Sequence, residues 1–293
     1  MIKLASIAAF AALLASTAQA AETVTIAGSD ILGDKIKAPL SAALKKQGIS
    51  ANIEMKGSFT AVDALKNAKA DVAIIAIPRG EKNPEGLILF PFAYHIASVA
   101  VNIANPIEEI STSQLYKIYS KSASPRVDAW QSLEVGNASL KNIMPITTSF
   151  SDSLVVELFK YGALKSTGLG QWVNVAKSPA EALSMLRANN SAIAVVGKIE
   201  DTSMIKILAI SSDSDGGASK YAFRPDRDNI FNGDYPLSLP FYIAVEKSAA
   251  ARLKPLLKTL LSDEIAAVID ADNFLSAPKN SRKKSIFELD ILK

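Results

Sequence analysis

Residues 71–77 read DVAIIAI and stop at Pro78. A run this short is a strand, and no polar residue alternates along it to give one face to water. Strands of that kind are buried on both sides, which means a parallel sheet with helices packed above and below. The preceding sequence supplies the rest of such a unit. Residues 23–27 (TVTIA) form a short β-prone run that stops at Gly28-Ser29-Asp30, and an amphipathic helix follows over about 31–47, with Gly48 as its stop. Residues 51–55 read as a second strand ending at Gly57-Ser58, and residues 60–69 as a second helix.

The remainder of the chain repeats this grammar. An apolar, β-prone run over 96–103 ends in Asn-Pro, Ser111-Thr112 make a turn, and an amphipathic helix opens at Ser113. Residues 142–147 read as a strand and 153–161 as a helix. Ser178-Pro179-Ala180-Glu181 starts another helix that runs to about Ala188, with proline in its first turn. Strands follow at 191–196 and 204–210, then polar loops over 211–217 and 225–236. Residues 239–246 form a further strand, and helices over 247–270 and from 272 onward close the chain. The basic run KNSRKK at 279–284 reads as a solvated turn between two C-terminal helical segments.

The N-terminus has the pattern of a cleaved export signal over residues 1–20. Lys3 is followed by an apolar stretch over 4–14 and by Ala18-Gln19-Ala20, with Ala21 as the first mature residue. The apolar stretch is too short for a standing membrane anchor, and no cysteine follows it to carry a lipid. The chain contains no cysteine at all, which removes disulfides, thiolate nucleophiles and cysteine-ligated metals together. Removing the first 20 of 293 residues leaves 273, enough for two compact lobes. Removing Lys3 from the 32 basic residues leaves 31 against 29 acidic ones, far from the one-sided charge of a nucleic-acid binder.

Catalytic and cofactor motifs are scarce. His95 is the single histidine, so a metal site would have to be built mostly from carboxylates, and a packed hinge imidazole is the expected role. There is no G-x-S-x-G elbow, no G-x-x-x-x-G-K-[ST] loop and no G-x-G-x-x-G fingerprint. The sequence therefore points to no cofactor and no metal, and to a protein that is not an enzyme. Trp130 and Trp172 read as packing aromatics.

Several segments carry a family resemblance. Leu115, Ile118, Tyr119, Lys121 and Trp130 fill the slots of an L-x-x-I-Y-x-G-K…W pattern after a strand ending in Asn-Pro, with Ser120 in the glycine's place. AGSD after the first strand, DVAIIAIP, AIAVVG after a helix, and YPLSLPFYIAV occur in the same order as in periplasmic phosphate ABC-transporter substrate-binding proteins, which the chain resembles. The resemblance implies an α/β fold of the type II periplasmic-binding-protein kind: two lobes, each a mixed sheet flanked by helices, joined by two hinge crossovers near 94–101 and 239–245. Lobe 1 would comprise residues 21–95 and 240–293, and lobe 2 residues 96–239. It further implies a periplasmic monomer that captures a small oxyanion or polar solute between its lobes for an ABC-type permease. A non-transport sensing or partner-binding module with a degenerate cleft is the alternative.

Helix N-termini present unpaired N–H groups and the positive end of the dipole, so they attract anions at the carboxyl edges of open sheets. Three loops have that character and match, by position, the family's oxyanion loops. They are Ser29-Asp30-Ile31, Gly57-Ser58-Phe59, and Ser149-Phe150-Ser151-Asp152-Ser153. Each also reads as an ordinary cap. The family's arginine in the third loop is replaced here by Ile146, and the aspartate that ends its third strand by Ala76. Asp30 and Asp152 are expected at two of the caps, where they would repel a dianion by roughly 4 kcal/mol at 4 Å and an effective dielectric of 20. The expectation is a ligand other than orthophosphate, or one bound weakly. Arg79 could stand in as a cation at the cleft mouth, but an exposed loop residue is its expected role. Arg126, Arg224 and Arg227 are expected in polar loops.

Overall fold

The structure, a computed structural model, describes residues 23–133, 140, 142–149, 154–213, 221–271 and 273–292, without the side chains of Asp34 and Lys35. The expected export signal, and Phe150, Ser151, Asp152 and Ser153, lie outside the described residues.

β1 (Val24–Gly28), α1 (Gly33–Lys46), β2 (Ala51–Met55), α2 (Ser58–Lys66) and β3 (Val72–Ala76) follow the expected alternation. β1 pairs in parallel with both β2 and β3, placing Gly28 opposite Met55 and Ile74. β3 shows why its sequence carries no polar residue: Ile74 packs with Leu40 and Leu44 of α1, and Ile75 packs with Ala61 and Leu65 of α2 on the other face. Each such side chain removed from water contributes about 1.5–3 kcal/mol.

β4 (Leu87–Ile96) is a ten-residue strand, and after the buried Ala97 the chain continues as β5 (Ser98–Asn102) in a different sheet. The expected run over 96–103 is thus two strands' ends joined at a crossing. The Asn-Pro that closes it has a clear role, since Asn102 and Asn105 donate to the Arg187 and Asn190 carbonyls at 2.8 and 3.0 Å. β6 (Glu109–Ser111) leads into α3 (Thr112–Tyr119), which starts one residue earlier than expected because Ser111 and Gln114 form a reciprocal capping box. The family pattern is a packing pattern. Leu115, Ile118, Tyr119 and Trp130 share one core, the Tyr119 hydroxyl donates to the Ile193 carbonyl at 2.8 Å, and Trp130 Nε1 donates to the Ser191 carbonyl at 3.0 Å.

β7 (Met144–Thr148), α4 (Leu154–Gly162), β8 (Asn174–Ala176), α5 (Pro179–Ala188) and β9 (Ala192–Val196) complete most of the second sheet. The strand expected over 204–210 is instead two: β10 (Ile205–Ile207) pairs antiparallel with β5, and β11 (Ala209–Ser211) pairs with β6. The break falls at Leu208, whose N–H donates to the Val99 carbonyl. The loop expected over 225–236 contains α6 (Arg227–Asn232), capped by Asp226 through the Asn229 N–H and ended by Gly233 at φ 84°.

β12 (Ser238–Glu246) returns to the first sheet, followed by α7 (Lys254–Leu260), α8 (Asp263–Asp270), β13 (Phe274–Ser276) and α9 (Lys279–Ile291). Two expectations fail here. A strand, β13, stands where helix was expected, and KNSRKK forms the opening turns of α9 rather than a solvated turn. Arg282 within it is buried, donating to the carbonyls of Ala277 and Leu261 and to Asp263. A long side chain with that many acceptors loses little by leaving water.

The first sheet has the order β13-β4-β12-β3-β1-β2 and the second β10-β5-β9-β7-β8. Both are mixed, since β4, β12 and β13 run antiparallel to their partners and β5 does so against β9 and β10. The two crossings lie side by side: Ser238 pairs with Ile96, the Ala97 N–H donates to the Leu237 carbonyl at 3.0 Å, and the buried Tyr235 hydroxyl donates to the Ala97 carbonyl at 2.7 Å.

Candidate ligand-binding cleft

The first two expected loops meet at the carboxyl edge of β1, β2 and β3. Ser29 is buried; its N–H donates to the Ile74 carbonyl at 2.8 Å and its Oγ accepts from the Ile31 N–H at 3.3 Å. The N–H groups of Lys56 and Gly57 both donate to the Gly28 carbonyl at 3.0 Å, tying the second loop to the first. Gly57, at φ 125°, is the N-cap of α2, and Ser58 is its first helical residue. That φ belongs to a region that favours glycine. Ser58 Oγ accepts from the Ala76 N–H at 2.9 Å and so holds the end of β3, where the resemblance implies an aspartate.

A serine hydroxyl that accepts from a backbone N–H still has its own hydrogen to give. Among the described residues neither Ser29 nor Ser58 gives it to a protein acceptor, and α2 carries no acidic residue in its first turn. The edge therefore offers the O–H of the half-buried Ser58 and an uncompensated helix N-terminus, backed by the buried Ser29.

Asp30 departs from expectation. It is exposed, and it does not cap α1, which begins three residues later with Leu32 at its cap and no side-chain cap bond. The chain first makes a turn, closed by the Gly33 N–H on the Ser29 carbonyl, and only then enters the helix. Ile31 turns toward the first-sheet core, and Phe59 stands 81% exposed. Ser149 follows β7 at the carboxyl edge of the second sheet, its N–H donating to the Ala176 carbonyl at 2.8 Å. Ile146 is fully buried against Ala182 and Leu186, in the core that backs this edge.

Arg79 is the residue that sequence reasoning placed wrongly. It is half-buried and borders a cavity of about 410 Å³ beside the crossings. Pro78, Arg79 and Leu239 line one side, and Leu158, Tyr161 and Gly162 of α4 the other. Burial holds the guanidinium below its ordinary pKa, opposed first by the charge of Asp234 and then by Tyr242. Its position immediately beyond the carboxyl end of a central strand was the available signal. His95 is buried in the crossing, its ring 5.2 Å from that of Phe274, as a packed hinge imidazole.

Across the crossings from these loops, a second polar cluster joins the two sheets. Arg227 of α6 pairs with Asp270 at the end of α8 and donates to the Ser276 carbonyl, and Lys198, just after β9, donates to the Asp270 carbonyl at 2.7 Å.

Residues 15–264 match the family model described as the PBP superfamily domain. The phosphate-binding protein PstS of Pseudomonas aeruginosa is 27% identical over 263 residues, which cover 83% of this chain and 79% of that protein. Protein SphX of Synechococcus elongatus is 23% identical over 71% of this chain, which spans only 63% of that relative. The crystal structure of PstS from Borrelia burgdorferi superposes with a TM-score of 0.67 at 17% identity, covering 87% of this chain and 99% of that one, a likeness of fold. Among the described residues no helix is long and apolar enough to cross a membrane, and no three metal-ligating side chains cluster. With the matched model extending over most of its length, the chain belongs to the PBP superfamily and resembles, within it, the phosphate ABC-transporter substrate-binding proteins.

Proposed function

We propose that this protein is a periplasmic solute-binding protein of the phosphate-binding class. It captures a small anion between its two lobes, 21–95 with 240–293 and 96–239, and delivers it as a monomer to an ABC-type permease, without catalysis. The observation that carries this reading is the convergence of Ser29, Gly57 and Ser58 at one sheet edge, with the Ser58 hydroxyl hydrogen and the α2 N-terminus available to an oxyanion. Phe59 is 81% exposed and does not fill the cleft, which speaks against a degenerate module.

Orthophosphate is bound weakly in this reading, because no arginine occupies the third loop. Asp30 adds little to that weakness. In solvent its repulsion falls toward about 1 kcal/mol at 4 Å, a fraction of the value at a buried cap. Calorimetric titration of the mature chain from Ala21, after exhaustive dialysis, tests this with phosphate, sulfate and other small oxyanions. Binding of one of them in the micromolar range is expected. Nanomolar phosphate binding would overturn the weak-phosphate reading, and silence with every anion would overturn the capture reading itself.

A further inference from the structure

We infer that the cavity beside the crossings takes an organic anion, with Arg79 pairing its acidic group while Leu158, Tyr161 and Leu239 enclose its carbon skeleton. The inference deepens the proposed function and rests on it, since the cavity is bordered by elements of both sheets.

Size is the first argument. The cavity measures about 410 Å³, the space of roughly fourteen waters at roughly 30 Å³ each. A tetrahedral inorganic oxyanion has five heavy atoms and would leave most of it wet. Volumes above about 300 Å³ are typical of sites for larger organic ligands. The lining is the second argument. One cation stands beside a stretch of apolar wall, formed by Pro78, Pro236, Leu158, Leu239 and the Tyr161 ring, with Ser212 and Ser238 among the polar lining. A few polar groups in an apolar concavity orient a ligand whose body is carbon.

Arg79 itself is the third argument. A half-buried guanidinium loses hydration that it recovers only from a partner. Among the described residues it has no carboxylate within 4.0 Å, although Asp234 lies close enough to act on it through space. Its Nη2 lies 2.9 Å from where a Cβ on Gly233 would stand, so it rests against bare backbone at the end of α6. Guanidinium groups favour planar, two-point pairing with carboxylate, phosphonate or phosphate oxygens. A bound anion of that kind completes the site.

The test is calorimetry on the mature chain with phenylphosphonate, benzoate and inorganic phosphate, repeated on Arg79→Ala, Arg79→Lys and Tyr161→Ala. One or both aromatic anions should bind at least about tenfold more tightly than inorganic phosphate. That binding should fall about tenfold or more in Arg79→Ala, fall less in Arg79→Lys and weaken in Tyr161→Ala. Tyr161 is 53% exposed, so its variant keeps the test open should Arg79→Ala fail to fold. Aromatic anions that bind no better than phosphate, while phosphate binds and ignores Arg79, would overturn the inference and leave oxyanion capture standing. Aromatic binding indifferent to both Arg79→Ala and Tyr161→Ala would also overturn it. Silence with all three anions would overturn this inference, while the capture reading would stand or fall on the sulfate and other oxyanion titrations.

Discussion

The Arg227 guanidinium meets the Asp270 carboxylate at 2.8 Å, an ion pair between α6 and the last turn of α8. Ser276 completes it: its N–H and Oγ donate to the same carboxylate at 2.8 and 3.0 Å, and its carbonyl accepts from Arg227 at 2.9 Å. The strand order sets this cluster on the β13 side of β4 and β12, opposite the serine loops on β3, β1 and β2.

The two partners are not equal. Asp270→Ala leaves the buried Ser276 without an acceptor and should cost about 1–3 kcal/mol. Arg227→Ala removes one arm of a pair whose side chains are 43% and 30% exposed, which should cost about 0–1 kcal/mol. Urea unfolding of the two variants checks the ranking. Equal losses would mean that the ion pair, and not the Ser276 contacts, dominates.

Ser58→Ala removes the acceptor for the Ala76 N–H and one hydroxyl hydrogen at the sheet edge. A stability loss of about 0.5–1.5 kcal/mol is expected, together with about a tenfold loss of inorganic oxyanion affinity. The two readouts, unfolding midpoint and titration, separate its structural bond from its binding bond. Unchanged oxyanion affinity would remove Ser58 from the site.

Gly233→Ala places a side chain at φ 84° and 2.9 Å from Arg79 Nη2. The left-handed backbone costs roughly 1–2 kcal/mol, whereas the arginine tip can yield at little expense. Stability should therefore fall by the backbone strain, and the displaced guanidinium should appear as weakened binding of phenylphosphonate or benzoate. Calorimetry and chemical denaturation on the same variant read the two effects.

Asp263 has its pKa lowered from the ordinary 3.8 to about 2, first by its hydrogen bond with Lys279 and then by that with Arg282. A depressed folded-state value stabilises the fold above the unfolded pKa, and that contribution disappears as pH falls through the folded one. The affected window is thus about pH 4 to 2. Asp263 is exposed, so solvent screens the gain, and the effect is a change of slope rather than a collapse. Thermal unfolding across that window should be less steep in pH for Asp263→Asn than for the parent. Parallel curves would contradict it.

The parts legible in the sequence were those whose local chemistry allowed one answer. DVAIIAI could only be a strand buried on both faces, and Ser178 before Pro179 marks a helix start, where its hydroxyl accepts from the Glu181 N–H. The missed parts are set by distant neighbours. β4 contains Pro91, which argues against a ladder position until β12 is seen to slip its register between Phe241 and Tyr242, opposite that residue. β13 is three residues long and exists through its pairing with β4. In the candidate site, Ser29, Gly57 and Ser58 could be read from strand ends and turn residues. Asp30 could not, because its place depends on the turn that delays α1. Arg79 was legible as a cation just beyond a strand end but not as half-buried, since the wall it leans on comes from residues about 80 and 150 positions away.

β4 and β12 carry the chain between the sheets as neighbouring strands, paired from Ser238 with Ile96 to Glu246 with Leu87. Two passages bonded edge to edge make a strap of double width. Sliding one against the other would break ladder bonds, while flexing both together breaks none, so in the proposed capture reading closure has one soft coordinate and little freedom to skew. In that reading a solute seated off the arc gains nothing from closure. Selectivity then depends on where along the gape an anion can touch both sides at once, as well as on the side chains that touch it.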